Sequence, residues 1–200
     1  GRAGVFRSNG ERGWDRQDIT VPDNLAVGLG DSSKSRGEVF VSTQGFLVPP
    51  TLSLADAGAA TLTPLKSAPA KFDASRDVTE QFEATSTDGT KIPYFVTRPK
   101  DLAMDGTGPT ILFGYGGFQA SFPPAYKPEM GKLWLENGGV FVQANIRGGG
   151  EFGPGWHQAA LRENRQRAFD DFAAVARDLE QRRITSPRHL GIYGRSNGGV

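Results

Sequence analysis

The sequence predicts an α/β fold: a mostly parallel sheet with crossover helices, preceded by antiparallel β structure. Three observations carry this expectation. After residue 109, short apolar strands alternate with helical segments in the order β–α–β–α–β, the pattern of a parallel sheet with right-handed crossovers. Before residue 66 the apolar runs are short, bounded by turn residues and spaced about ten residues apart, as in a sandwich or a propeller blade. Between these regions Asp88-Gly89 separates two β-prone runs, a hairpin signal because glycine accepts positive φ at little cost.

In chain order, Glu38–Thr43, Phe46–Val48, Thr51–Leu54 and Ala60–Thr63 read as strands. No second copy of this unit is found. Pro64 to Phe72, with Pro69 between alanines, reads as a linker. Gln81–Thr85 and Lys91–Thr97 are the hairpin strands, and Thr110–Phe113 is a short buried strand bounded by Gly114. Pro128 to Glu136 reads as a helix stopped by Asn137-Gly138-Gly139, and Val140–Ile146 as the next strand. Arg165 to Arg183 is the strongest helix, with Ala168, Phe169, Phe172, Val175, Ala176 and Leu179 recurring at three- and four-residue steps. Leu190–Tyr193 is a strand running straight into Gly194.

Composition narrows the function classes. The 23 Lys and Arg against 22 Asp and Glu leave a net charge of +1, which excludes a strongly basic nucleic-acid binder. Hydrophobic residues at 37% suffice for a packed core. With no cysteine there is no disulfide, thiol nucleophile or Cys-ligated zinc in this stretch. Cytoplasm and periplasm both stay open. No apolar run reaches the ~18 residues of a membrane span. Two histidines without grouped carboxylates make no metal site, and no cofactor is implied. Gly1 is preceded by no Met, and the chain stops inside a motif, so both ends are expected to be cuts in a longer protein.

That motif is Gly194-Arg195-Ser196-Asn197-Gly198, a G-x-S-x-G following a strand and a βαβ unit. This is the setting of the nucleophile elbow of α/β-hydrolases. A sharp strand-to-helix turn lifts the Ser196 hydroxyl clear of the sheet, and glycines two residues away on either side relieve the crowding. The N–H of Asn197 then points at the developing oxyanion. Gly114-Tyr115-Gly116-Gly117-Phe118 ends an earlier strand, where such an enzyme draws its second oxyanion donor, and the Tyr115 hydroxyl can serve. Gly148, Gly150 and Gly153 fit G-x-G-x-x-G, but Pro154-Gly155 follows and the clear helix is expected only about ten residues later, which argues against dinucleotide binding. Arg147 and Glu151 are expected to form a salt-bridged brace for that loop. His157 and His189 both precede Ser196, whereas the hydrolase order is Ser, acid, His. They are expected to be structural or surface residues.

Taken in order, Gly-Tyr-Gly-Gly-Phe at 114–118, Ala-Asn-Ile-Arg-Gly-Gly-Gly-Glu at 144–151, Trp156-His157, Phe169-Asp170-Asp171-Phe172 and Ser196-Asn197-Gly198-Gly199 resemble the prolyl oligopeptidase family of serine peptidases. The resemblance is specific from about residue 80 onward and weaker over 1–66. It implies that residues 1–66 end a β-propeller and that 67–200 begin an α/β-hydrolase peptidase domain. It implies a Ser196 nucleophile, oxyanion donors from the Asn197 backbone and the Tyr115 hydroxyl, and Phe118 lining the pocket for a substrate proline. The triad Asp and His, and a substrate-stacking Trp, are implied beyond Val200. A peptide cut off from them is expected to be inactive. The implied partners are short peptide substrates.

One departure is Arg195, where the better-known prolyl enzymes carry glycine. Arginine there resembles the oligopeptidase B branch, which cleaves after basic residues. Tyr115 with Gly116-Gly117-Phe118, and Asn197, still favour the prolyl branch. One alternative is another α/β-hydrolase, such as a dipeptidyl or acylaminoacyl peptidase or an esterase, which usually lacks the combined 114–118 and 147–151 loops. The other is a non-catalytic propeller–hydrolase binding protein, against which the intact Ser196 argues.

Overall fold

The computed structural model describes residues 1–10, 13–33 and 35–199, which form two compact units. The first comprises residues 1–70 with 124–127; the second comprises 71–123 with residues from 128 onward.

In the first unit, β1 (Ala3–Ser8) and β2 (Trp14–Ile19) form an antiparallel ribbon. β3 (Ala26–Ser33), β4 (Glu38–Gln44), β5 (Thr51–Asp56) and β6 (Thr61–Ser67) form a four-stranded antiparallel meander in sequential order. Its small core gathers Ala3, Ile19, Val41 and Ala55. Two local expectations change. Pro64 is a strand residue, not linker: it lies on edge strand β6 beside a register shift opposite Leu52 and Ser53, the kind of position where strands tolerate proline. Phe46–Val48 is a tight reversal closed by Gly45 and Val48 bonding each other, not a strand.

The second unit is built on a five-stranded mixed sheet. β7 (Asp77–Thr85) and β8 (Lys91–Pro99) form the hairpin, with Gly89 at φ +83° in the turn. β9 (Thr110–Gly114), β10 (Val140–Ala144) and β11 (Leu190–Tyr193) follow, in the spatial order β11-β9-β10-β8-β7. β10 and β11 flank β9 and run parallel to it, while β8 pairs antiparallel with β10. Every residue of β10 is buried, as a strand covered on both faces requires. β11 is the mostly exposed edge.

Among the described residues three α-helices accompany the sheet: α1 (Pro128–Leu133), α2 (Pro154–Gln158) and α3 (Gln166–Gln181). α2 opens directly after Gly153, earlier than expected, because the fixed φ of Pro154 suits a first helical position. α1 is shorter than the expected Pro128–Glu136 helix, which closes instead with a tighter turn over Leu135–Asn137 and Gly138 at φ +82°. α3 buries Ala168, Asp171, Ala174, Val175 and Leu179 against the sheet. Phe169 departs from the expected stripe and is 38% exposed, lying under the Arg165 guanidinium. At the far end of α3, the Tyr94 hydroxyl donates to Asp178, and Arg182 binds the same carboxylate at 2.9 Å while stacking over Phe82. Burial, and then the Asp178 carboxylate, push the Tyr94 hydroxyl above the usual tyrosine range. No helix among the described residues is long and apolar enough to cross a membrane.

Candidate active site

The carboxyl ends of adjacent parallel strands are where open α/β sheets place their ligands. Here the ends of β9 and β11 carry Gly114–Phe118 and Gly194–Gly198. At the second, Ser196 sits at φ +55°. That left-handed conformation costs a non-glycine residue roughly 1–3 kcal/mol and persists only where its surroundings impose it. The surroundings are tight. A Cβ on Gly194 would collide with the Gly198 carbonyl, and one on Gly198 would come within 2.5 Å of the Gly114 carbonyl oxygen. Only glycines let the chain turn this sharply against β9.

The two loops are joined. Asn197 Nδ2 donates to the Tyr115 carbonyl at 2.8 Å, and Gly117 packs against the same Asn197 side chain so closely that a Cβ would collide. The Arg165 guanidinium donates to the Gly116 carbonyl. Tyr115 packs its ring on Phe122 at 5.0 Å, Phe122 meets Phe113 at 5.4 Å, and Phe113 meets Tyr193 at 5.7 Å, so an aromatic row ties both strand ends together. Phe122 is fixed in turn: its N–H donates to Glu151 Oε1 at 3.0 Å, and its carbonyl accepts from Gln143 at 2.6 Å and Asn145 at 3.2 Å.

The expected Arg147–Glu151 brace does not form. Glu151 bonds Phe122 and Asn145. Arg147, 4% exposed, reaches long-range partners instead. Its Nε and Nη2 meet the two oxygens of fully buried Asp171 at 2.9 and 2.7 Å, its backbone N–H donates to Asp171 at 3.0 Å, and Nη1 and Nη2 meet Asp88 at 2.6 and 3.2 Å. Ser86 completes the cluster by donating to Asp171 at 2.6 Å. A planar guanidinium serving two carboxylates bidentately is arginine-specific geometry. The Asp171 hydrogen bond holds Arg147 above its usual range, and the Arg147 hydrogen bond holds Asp88 far below the usual carboxylate range. The network pins the 147–150 loop, which lies directly under the 114–119 loop: Gly148 abuts the Gly116 carbonyl, and Gly150 N–H donates to Ala120.

Two clefts meet at Asn197. One, about 470 Å³, runs along α3 and β11 and is lined by Tyr115, Phe169, Phe172, Ile192 and Gly198. The other, about 530 Å³, is open and lined by Phe118, Gln119, His157, Arg162 and Arg165. Phe118 is 77% exposed and, like Gln119, left-handed at φ +53°. The structure therefore brings Asn197 together with Tyr115 in one cleft and with Phe118 in the other. His157 anchors the loops. With Nδ1 protonated it donates to the Gly148 carbonyl at 2.7 Å, and the Gln119 N–H shares that carbonyl at 3.3 Å. His189 pairs with Ser186 at 2.9 Å on the exposed approach to β11. Arg165 and Gln119 line the site, yet neither stands out in the sequence. Arg165 lies between Arg162 and Arg167, and no local pattern separates it from those two.

A strand running into a left-handed serine, faced by a glycine loop at the end of a neighbouring parallel strand, places the second unit in the α/β-hydrolase class. Residues 127–200 match the model of the prolyl oligopeptidase family. Over 191 residues the chain is 51% identical to an uncharacterized peptidase of Sinorhizobium fredii, covering 96% of this chain and 26% of that protein. It is 36% identical to a prolyl endopeptidase of Elizabethkingia miricola over 92% of this chain and 26% of that one. The solved post-proline cleaving enzyme of Rickettsia typhi superposes with a TM-score of 0.83 at 41% identity, over 99% of this chain and 28% of that one. Residues 127–200 thus carry the sequence pattern of the prolyl oligopeptidase family, and the chain spans about a quarter of the length of the relatives it matches.

Proposed function

We propose that the whole protein is a serine peptidase that hydrolyses short peptides after proline through an acyl-enzyme on Ser196. The observation that carries this reading is the left-handed Ser196, held between glycines that admit no side chain and tied through Asn197 to the loop bearing Tyr115. In this reading the Ser196 oxygen adds to the scissile carbonyl while a histidine base takes its proton. The carbonyl oxygen, now anionic, accepts from the Asn197 N–H and the Tyr115 hydroxyl. Collapse expels the amine, which leaves with the proton, and water releases the acyl group by the reverse sequence. The base and its carboxylate follow the serine in the chain order of this class, so neither His157 nor His189 takes that role. Phe118 lines the pocket for the proline ring, supported by its place beside Asn197 in the open cleft. We read residues 1–66 as the end of a propeller, supported by a four-stranded antiparallel meander of the kind that makes one blade. Residues 67–200 then begin the peptidase domain.

Arg195 favours a second reading, cleavage after basic residues, as in the oligopeptidase B branch. One set of assays decides. The whole protein is expected to turn over a Gly-Pro-anilide at least tenfold faster than an arginine anilide; the opposite preference supports the second reading. On the preferred substrate, Tyr115→Phe is expected to lower kcat by roughly 10²–10³ with KM nearly unchanged, because the hydroxyl binds an oxygen that is anionic only in the transition state. A change confined to KM means that Tyr115 only packs against substrate.

A further inference from the structure

We propose that Arg165 is a positioning residue for the oxyanion loop: its guanidinium holds the Gly116 carbonyl and thereby presents Tyr115 to the reacting carbonyl. This rests on the role of Tyr115 proposed above.

The loop needs such a hold. Gly114, Gly116 and Gly117 leave its backbone freer than any other residues would, and Gly116 is at φ +56°. Two consecutive peptide groups are nonetheless fixed, each by a side chain from a different element. The Tyr115 carbonyl accepts from Asn197 in the elbow, and the Gly116 carbonyl accepts from Arg165. Fixing both carbonyls fixes the planes on either side of Gly116, and with them the direction in which Tyr115 leaves the chain. Arg165 is well placed to do this. It immediately precedes α3, a helix packed on the sheet and locked through Asp171 to Arg147. Its guanidinium lies over the Phe169 ring at 5.2 Å, and Gly148 approaches so closely that a Cβ there would sit 3.2 Å from Nη1. The arginine is thus held on both sides before it meets Gly116.

The position is also one that local helix energetics disfavour. Arg165 occupies the N-cap of α3, makes no capping hydrogen bond, and no acidic residue lies in the first turn. Helix N-termini favour Ser, Thr, Asp or Asn as caps and repel cations. A residue that breaks the local rule and lines both clefts beside Asn197 is one whose contribution lies elsewhere.

The test is a double-mutant cycle in the whole protein, on the substrate it prefers. Arg165→Met is expected to lower kcat on the order of 10-fold to 10²-fold with KM within about threefold, the penalty of a misplaced catalytic group. Arg165→Lys, which can still reach one carbonyl, is expected to recover most of that loss. The decisive outcome is coupling. In the Tyr115→Phe background, Arg165→Met is expected to cost less than about threefold, because there is no hydroxyl left to position. Full multiplication of the two effects overturns the proposal, as does a change in KM alone. Should Arg165→Met fail to fold, Arg165→Gln, whose shorter side chain cannot span the same distance to the Gly116 carbonyl, closes the same cycle alone and with Tyr115→Phe. Fluorophosphonate labelling of Ser196 in each variant keeps the two ideas apart. An intact label with multiplying effects defeats the clamp and leaves the nucleophile standing. A Tyr115→Phe variant as fast as the parent overturns the clamp together with the hydroxyl's role.

Discussion

Replacing Ser196 with alanine in the whole protein is expected to lower kcat on post-proline substrates by roughly 10⁴–10⁶, with KM changed less than about threefold. In the proposed mechanism the hydroxyl makes and breaks the covalent bond, whereas substrate binding draws on surfaces such as Phe118 that the substitution leaves alone. What survives is the stabilisation supplied by oxyanion donors, which act without a nucleophile only on attack by water. A companion variant separates function from fold. Ser196→Gly is expected to be equally slow and yet more stable, by about 1 kcal/mol, because glycine occupies a left-handed position without strain. A rise in the unfolding midpoint together with lost turnover identifies φ +55° as strain maintained for chemistry. Turnover of Ser196→Ala within about tenfold of the parent contradicts the assignment.

Asp171→Ala is expected to cost about 3–5 kcal/mol of stability, because it strands a buried arginine. The Asp171 side chain is fully buried and that of Arg147 is 5% exposed, so water cannot take over the lost bonds. Asp88 remains bonded to Arg147, and its side chain is 39% exposed, which keeps the cost toward the lower end. The paired variant Arg147→Leu/Asp171→Leu is expected to lose less than Asp171→Ala alone, since removing both charges leaves nothing uncompensated. Denaturant unfolding followed by a probe in the second unit measures both. A loss below about 1 kcal/mol for Asp171→Ala, or a paired variant worse than the single, contradicts this account of the network.

The frame of the candidate site is readable in the sequence because its signals are local. Gly194, Ser196 and Gly198 are two residues apart, and the collisions that demand glycine arise within the same turn or against the adjacent strand. The hairpin at Asp88-Gly89 and the apolar face of α3 are legible for the same reason. The departures come from contacts far apart in sequence. Arg147 has Glu151 four residues away, but the fold brings it Asp171, 24 residues on, and Asp88, 59 residues back. β1, β2 and β3 leave no clear pattern because their residues are largely exposed: Trp14-Asp15-Arg16-Gln17-Asp18-Ile19 buries only Ile19, so no alternation shows. Pro64 reads as a breaker because an edge strand cannot be told from a loop without its neighbours. Arg165 is invisible in the sequence because its partner is a backbone carbonyl, which carries no residue identity.

The proposed role of Ser196 as the activated nucleophile has a chemical test: treating the folded whole protein with a fluorophosphonate and locating the adduct by mass spectrometry. One label per chain is expected, on Ser196, formed in step with loss of peptidase activity and absent from Ser196→Ala. Loss of activity with the label on another serine, and Ser196 unmodified, would contradict it.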